Sequence, residues 1–235
     1  MKHALIFAAG RGERMRPLTD RTPKPLLPVG GKPLIAWTLE KLAAAGYGQV
    51  VINTSHLAAQ FPPALGDGSR WGLRIHYADE GPVALETGGG MLHALPLLGS
   101  SSFLAINGDI WCDADLASLP AQPAGQAHLL LVDNPAQHPQ GDFVLDADGS
   151  VRDEGTPRLT FSGIGVYRPS LLDGWRGVID GPIDPAMPPR FKLVPLLRAA
   201  MRRGQVSGAR HDGVWNDIGT PARLEALRAS LSRAS

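Results

Sequence analysis

The chain has 235 residues, 43% hydrophobic and 19% charged, enough to bury a substantial core, with no low-complexity tract and no internal repeat. A formal net charge of +1 argues against a nucleic-acid partner, and the single cysteine, Cys112, excludes an intrachain disulfide and a cysteine-based zinc cluster. The first apolar segment is too short for a membrane span or a signal peptide, so no membrane partner and a cytoplasmic location are expected.

Taken in order, "HALIFAA" reads as a buried strand, and a glycine- and proline-rich loop follows it. "PLIAWTLEKLAAAGY" predicts a helix with Pro33 near its first turn and Gly46 at its end. "QVVINTS" and "RIHYADE" predict strands, "GGGMLHALPLL" a short helix opened by glycines, and "FLAING", "AHLLLVD" and "RLTFSGIGVY" further strands. "DFVLDADGSVRDEG" predicts a hairpin turning at Asp148-Gly149, residues 173–190 a long surface loop, and "FKLVPLLRAAMRRG" and "PARLEALRASLSRA" two helices. The alternation predicts an α/β fold with a doubly wound, mostly parallel, Rossmann-like mixed sheet. No clean linker divides it. One domain over 1–235 is expected, with a nucleotide-binding half (1–110) and an acceptor half (111–235).

Charge is unevenly spread. Residues 10–32 carry six Lys or Arg against Glu13 and Asp20, whereas residues 107–154 carry nine carboxylates and only Arg152. A basic loop suits a polyphosphate and an acidic region suits a metal ion. The loop is not a dinucleotide fingerprint, because Met15 stands where G-x-G-x-x-G needs its third glycine. Nor is it a P-loop, since G-x-x-x-x-G-K-[ST] is absent. Gly10 and Gly12 free consecutive amides to converge on phosphate oxygens, and Arg14 and Arg16 add charged donors. Prolines 17, 23, 25, 28 and 33 forbid a regular helix and present Lys24 at a fixed place.

"GRGERMRPLTDRTPKPLLPV" resembles the signature G-x-G-x-R-x-x-P-L-T…P-K-P-L-x-P-V of the sugar-1-phosphate nucleotidylyltransferases. The resemblance continues through "VINTSH", "ETGGG", "INGDIW", "FSGIGVY" and "VWNDIGTPARL", and so covers essentially the whole chain. It departs at Glu13, where many relatives carry Thr. "LGDGSRWGL", "LETGGG", "LVDNP" before "GDF", "LTFSGI" and "FKLVPLL" are most similar to the short bacterial members that act on N-acetylmuramate 1-phosphate in cell-wall recycling.

That resemblance implies transfer of UMP from UTP to a sugar 1-phosphate, with Mg²⁺ as cofactor and pyrophosphate as leaving group. It implies nucleotide contacts from Ala9, Gly10, Arg11, Gly12 and Glu13, with Lys24 at the α-phosphate and Arg14 on the pyrophosphate. Asp109 follows an apolar strand at the edge where parallel sheets bind ligands, and Asp217 in "VWNDIGT" follows another, so the two are the expected metal ligands. Asn107 would touch the nucleoside, Glu80 would accept the uracil N3–H, and the backbone near Thr87 and Gly88 would donate to O4. On the acceptor side the resemblance implies Gly141, Asp142, Glu154, Ser162 and Gly163. No lysine lies between Lys41 and Lys192, which leaves Lys192 as the candidate for the sugar phosphate. A monomer or weak homo-oligomer is expected. The alternatives are another sugar or base with the same chemistry, or a non-catalytic nucleotide-sugar sensor.

Overall fold

The computed structural model describes residues 1–178 and 187–234. Seven strands make one sheet: β1 (Lys2–Phe7), β2 (Tyr47–Thr54), β3 (Arg74–Asp79), β4 (Phe103–Asn107), β5 (Ala127–Val132), β6 (Thr160–Tyr167) and β7 (Val206–Arg210). Their spatial order is β7-β5-β6-β4-β1-β2-β3. Neighbours are parallel except β6, which runs antiparallel to both β4 and β5. The fold class is therefore the mixed, mostly parallel, doubly wound sheet expected from the alternation of elements.

Helices α1 (Leu34–Ala44), α2 (Phe61–Leu65), α3 (Glu86–Leu98), α4 (Val194–Met201) and α5 (Pro221–Ala234) complete the fold. Because side chains alternate along a strand, β1 feeds two cores. Ala4 and Ile6 pack with Ile35, Leu39 and Leu42 of α1 and Phe61 of α2. Leu5 packs on the other face with Met91, Ala94 and Leu98 of α3 and with Leu196 and Ala200 of α4. β1 is thus flanked by β2 on one side and β4 on the other, with connections leaving in opposite directions. Ligands of open α/β sheets bind at that reversal, beyond the carboxyl ends of the strands.

A third, smaller core joins the chain's two ends. Met15, Leu27, Val29 and Leu34 pack with Ile218 and with Leu224 and Leu227 of α5, and Arg228 Nε donates to the Pro28 carbonyl at 2.9 Å. The basic loop is therefore clamped against the last helix.

The predicted hairpin is present, with Val144–Leu145 antiparallel to Val151–Arg152. The glycine-opened helix starts earlier than expected, at Glu86, and contains Pro96. β7 and α2 are among the elements that escaped the sequence patterns. β7 is built from "VSGAR", which has no alternating apolar face; it forms by pairing with β5, and a Cβ on Gly208 would stand 2.8 Å from the Leu129 carbonyl. α2 carries two prolines in its first turn, which reads as a loop from sequence. Of the predicted surface loop 173–190, residues 179–186 lie outside the described residues.

Met15 is 0% exposed in the small core. Met15→Ala is expected to lower stability by about 2–5 kcal/mol, by lost transfer energy and an unfilled cavity, read from the denaturant midpoint.

Candidate active site

The loop after β1 is shaped by its backbone. Gly12 adopts φ +68, a left-handed conformation, and its carbonyl accepts from Met15 N at 2.8 Å and Thr19 Oγ1 at 2.9 Å. His56 Nε2 lies 2.7 Å from the Thr19 carbonyl and Gln60 Nε2 donates to the Arg21 carbonyl at 2.9 Å, tying the loop to the segment after β2. Three short 3₁₀ turns, Glu13–Met15, Leu18–Asp20 and Lys24–Leu26, carry the chain onward. Among the described residues nothing accepts from the amides of Gly10, Arg11 or Gly12, which leaves three donors for an anion. Arg11 and Arg16 pair with Glu13, at 3.1 and 3.9 Å, and Arg16 also pairs with Asp20. Arg14 has no ion-pair partner among the described residues.

The end of β4 meets this loop. Gly108 N donates to the Phe7 carbonyl at 2.8 Å, and a Cβ on Gly108 would stand 2.7 Å from that oxygen and 3.3 Å from Pro25. Only glycine allows so close an approach, and it brings Lys24 Nζ to 2.5 Å from Asp109 Oδ2. Lys24 is held there with its side chain only 13% exposed. Asp217 arrives from the other direction. Trp215–Asp217 pairs antiparallel with Ile110–Cys112, and Ile218 N donates to the Asp109 carbonyl at 2.7 Å. Asp217 Oδ1 forms an ion pair with Arg223 and accepts from Gln137 Nε2 at 2.9 Å.

Gly219 is the cradle between these groups. A Cβ there would stand 2.5 Å from Arg223 Nη2, 3.0 Å from Arg14 Nη2 and 3.2 Å from Asp217 Oδ2. Two carboxylates, both hard oxygen donors, are thus joined through adjacent backbone, with Arg14 close by. That donor set fits a hard divalent cation such as Mg²⁺.

Two cavities open onto these residues. The larger, about 490 Å³, is lined on one side by Ala9, Gly10, Arg11, Glu13 and Lys24 and on the other by Glu80, Glu86, Thr87 and Arg190. The smaller, about 260 Å³, is lined by Asp142, Ser162, Trp215 and Asp217 among others. Asn107 and Asp109 line both. The cavities therefore meet at the lysine-paired aspartate.

Two compartments thus meet at an Asp–Lys pair at a sheet reversal. The model of the nucleotidyl transferase family matches residues 3–143, more than half of the chain. The chain belongs to that family. It is 50% identical to the N-acetylmuramate alpha-1-phosphate uridylyltransferase of Neisseria meningitidis, over 96% of each chain. It is 36% identical to the enzyme of that name from Caulobacter vibrioides, over 99% of this chain and 98% of the other. In fold it is similar to a solved Bacillus anthracis chain proposed to be a glucose-1-phosphate thymidylyltransferase and bound to sucrose, with TM-score 0.82 over 98% of this chain and 95% of that one at 21% identity.

Against this frame the nucleotidyl transferase residues fall into three groups. The structure brings the loop, Lys24, Asn107, Asp109 and Asp217 together around the wall the two cavities share. The base side is more constrained than the sequence implies. Glu80 is only 7% exposed, with Oε1 accepting from Asn53 Nδ2 at 2.6 Å and Oε2 from Leu85 N at 2.7 Å. Asn53 Oδ1 in turn accepts from Ala8 N at 2.7 Å. The backbone near Gly88 was expected to donate to the base, but the glycines that open α3 face protein. A Cβ on Gly90 would stand 2.4 Å from Glu80 Oε1, on Gly89 2.3 Å from the Pro189 carbonyl and on Gly88 2.4 Å from the Phe191 ring. The Gly88 amide already donates to the Phe191 carbonyl at 2.9 Å.

The acceptor residues divide. Asp142 and Ser162 line the smaller cavity. Gly163, at φ +80, marks the irregularity in the β6–β5 pairing and packs on Asn107; a Cβ there would stand 2.6 Å from Asn107 Nδ2. Gly141, at φ +63, packs on Asn134. Glu154 is exposed beside a separate hollow shared with Met201 and Arg202, and Lys192 is exposed by the start of α3; neither lines either cavity. Glu154, which the resemblance implies near the acceptor, follows the hairpin strand Val151–Arg152 and lies with Asp153, Met201 and Arg202 instead.

Sequence reasoning missed Asn53, Gln137, His138, Arg190, Trp215 and Arg223. For Trp215 a signal existed, since it shares a strand face with Asp217. For Asn53, Gln137 and Arg190 none did, because their partners lie 27 to 104 residues away; His138 and Arg223 lie only four and six residues from Asp142 and Asp217.

Burial raises the Glu80 pKa above its ordinary 4.5, with the Leu85 and Asn53 hydrogen bonds opposing the shift. The folded protein then holds this proton more tightly than the unfolded chain. The stability this group contributes is complete below 4.5 and is lost as pH rises through the raised folded value. Glu80→Gln should abolish that component, so the stability of wild type relative to the variant is expected to fall across this window and then level. Denaturant midpoints measured at a series of pH values check it.

Proposed function

We propose that the chain catalyses Mg²⁺-dependent transfer of UMP from UTP to N-acetylmuramate 1-phosphate, giving UDP-N-acetylmuramate and pyrophosphate. The observation that supports this most directly is the meeting of two cavities at Asp109, as an in-line attack between two bound substrates requires. The names of the full-length relatives supply the substrates. The larger cavity takes UTP and the smaller the sugar phosphate.

The attacking phosphate oxygen is already ionised at neutral pH, so the reaction needs no general base. Catalysis then rests on positioning and charge neutralisation. The free amides of Gly10, Arg11 and Gly12 donate to the β- and γ-phosphate oxygens, and Arg14 faces the pyrophosphate as it leaves. Lys24 offers its ammonium to the α-phosphate, where negative charge develops. Asp109 and Asp217 would hold the Mg²⁺, which when bound neutralises phosphate oxygens and orients them. Each oxygen of Glu80 keeps a second lone pair, and Oε1 accepts the uracil N3–H while the Thr87 amide donates to O4. Asn107, held on Gly163, sits between the two substrates. The same reading carries a role in cell-wall recycling, a cytoplasmic location, a single domain and a monomer or weak homo-oligomer. Among the described residues no helix is long and apolar enough to cross a membrane.

Pyrophosphate release measured with UTP, dTTP and GTP against a panel of sugar 1-phosphates tests the assignment. UTP with N-acetylmuramate 1-phosphate should be the preferred pair, and absence of turnover with that pair overturns it. Lys24→Ala and Asp109→Asn are each expected to lower kcat at least ~100-fold while the proteins remain folded by circular dichroism.

A further inference from the structure

The smaller cavity has an unusual charge pattern. Its walls carry three carboxylates, Asp109, Asp142 and Asp217, and a single side chain able to become cationic, His138. In the proposed reaction Asp109 and Asp217 belong to the metal. Asp142 is bonded twice within the protein, Oδ2 accepting from Phe161 N at 2.8 Å and Oδ1 facing His138 Nε2 at 3.0 Å.

His138 is also firmly presented. Its amide donates to the Pro135 carbonyl at 2.8 Å, and Asn134 ties both ends of the loop, donating to the Arg158 carbonyl at 2.9 Å and the Pro139 carbonyl at 3.2 Å. Asn134 Oδ1 accepts from Thr160 Oγ1 at 2.9 Å. Gly141 in its left-handed conformation lets this loop close, since a Cβ there would stand 2.6 Å from Asn134 Oδ1. With Nε2 directed at Asp142, protonation makes Nδ1 a second charged donor, and the half-exposed residue lines the cavity. The other charged groups around the ring are Asp109 and Asp217 across the cavity and Arg158, which donates to the Asp142 carbonyl at 3.3 Å.

N-acetylmuramate differs from N-acetylglucosamine by a lactyl ether that ends in a carboxylate. A site walled by carboxylates repels that group unless a cation meets it. Resting on the proposed reaction, we infer that His138, oriented by Asp142, is the specificity-determining residue that binds the acceptor's lactyl carboxylate. It selects the muramyl over the glucosaminyl sugar and takes no part in the phosphoryl chemistry.

Calorimetric binding of UDP-N-acetylmuramate and UDP-N-acetylglucosamine to wild type, His138→Gln and His138→Arg tests this without turnover. His138→Gln should weaken the muramyl nucleotide ~10-fold or more and change the glucosaminyl nucleotide less than about twofold, as loss of a charge-assisted hydrogen bond implies. His138→Arg should retain the preference. Equal loss for both nucleotides, or no loss for either, overturns the role of His138 and leaves the uridylyl transfer standing. Failure of the wild type to bind UDP-N-acetylmuramate overturns that transfer itself.

Discussion

Strands β1 and β4 lie side by side and end at the same edge, and the Gly108 amide donates to the Phe7 carbonyl across the gap at 2.8 Å. The site depends on that close approach. It stacks the basic loop after β1 on the acidic turn after β4, and so brings Lys24 within bonding distance of Asp109. A side chain at Gly108 would push the turns apart and separate the cation from the carboxylate. The two cavities would then lose their common wall. Here the sheet's reversal of winding is turned into an ion pair by one missing Cβ.

The floor of the larger cavity is held by a different kind of contact. From Ala8 N through Asn53 to Glu80 and on to Leu85 N, buried polar groups satisfy one another in a chain that crosses β1, β2 and the segment after β3. Such a network is stable only when every member is paired, and it fixes the cavity wall for that reason. It also explains Gly90 in the glycine run that opens α3, which makes room for the Glu80–Asn53 pair, while Gly88 and Gly89 make room for Phe191 and Pro189. The run looks the same in sequence whether it faces a ligand or a buried carboxylate.

The fold was largely legible before any coordinates. Apolar runs such as "HALIFAA" are buried on both faces, which only a central parallel strand requires, and the helical patterns between them dictate the winding. β7 was not legible, because an edge strand of Ser, Gly and Ala is specified by its neighbour's backbone. Of the site, the loop after β1 was legible as one group, since its residues lie in one stretch whose glycines and prolines constrain the backbone locally. The acceptor side was not. Gln137 takes its place from Asp217, 80 residues on, and His138 and Arg223, though only four and six residues from Asp142 and Asp217, are aimed by loop and helix geometry that no linear pattern records.

By itself the sequence determined the class of sheet, the anion-gripping loop with Lys24 at a set position, and the pair of aspartates at strand ends. Each of these follows from local chain stereochemistry or from hydrophobic periodicity, which a linear pattern records. Only the tertiary structure decided that Lys24 pairs with Asp109, that Arg223 and Gln137 hold Asp217, and that Glu154 and Lys192 stand apart from both cavities. Those outcomes depend on how the ends of β1, β4 and α5 are packed against one another. Charge and distance across a fold are not encoded in spacing along the chain.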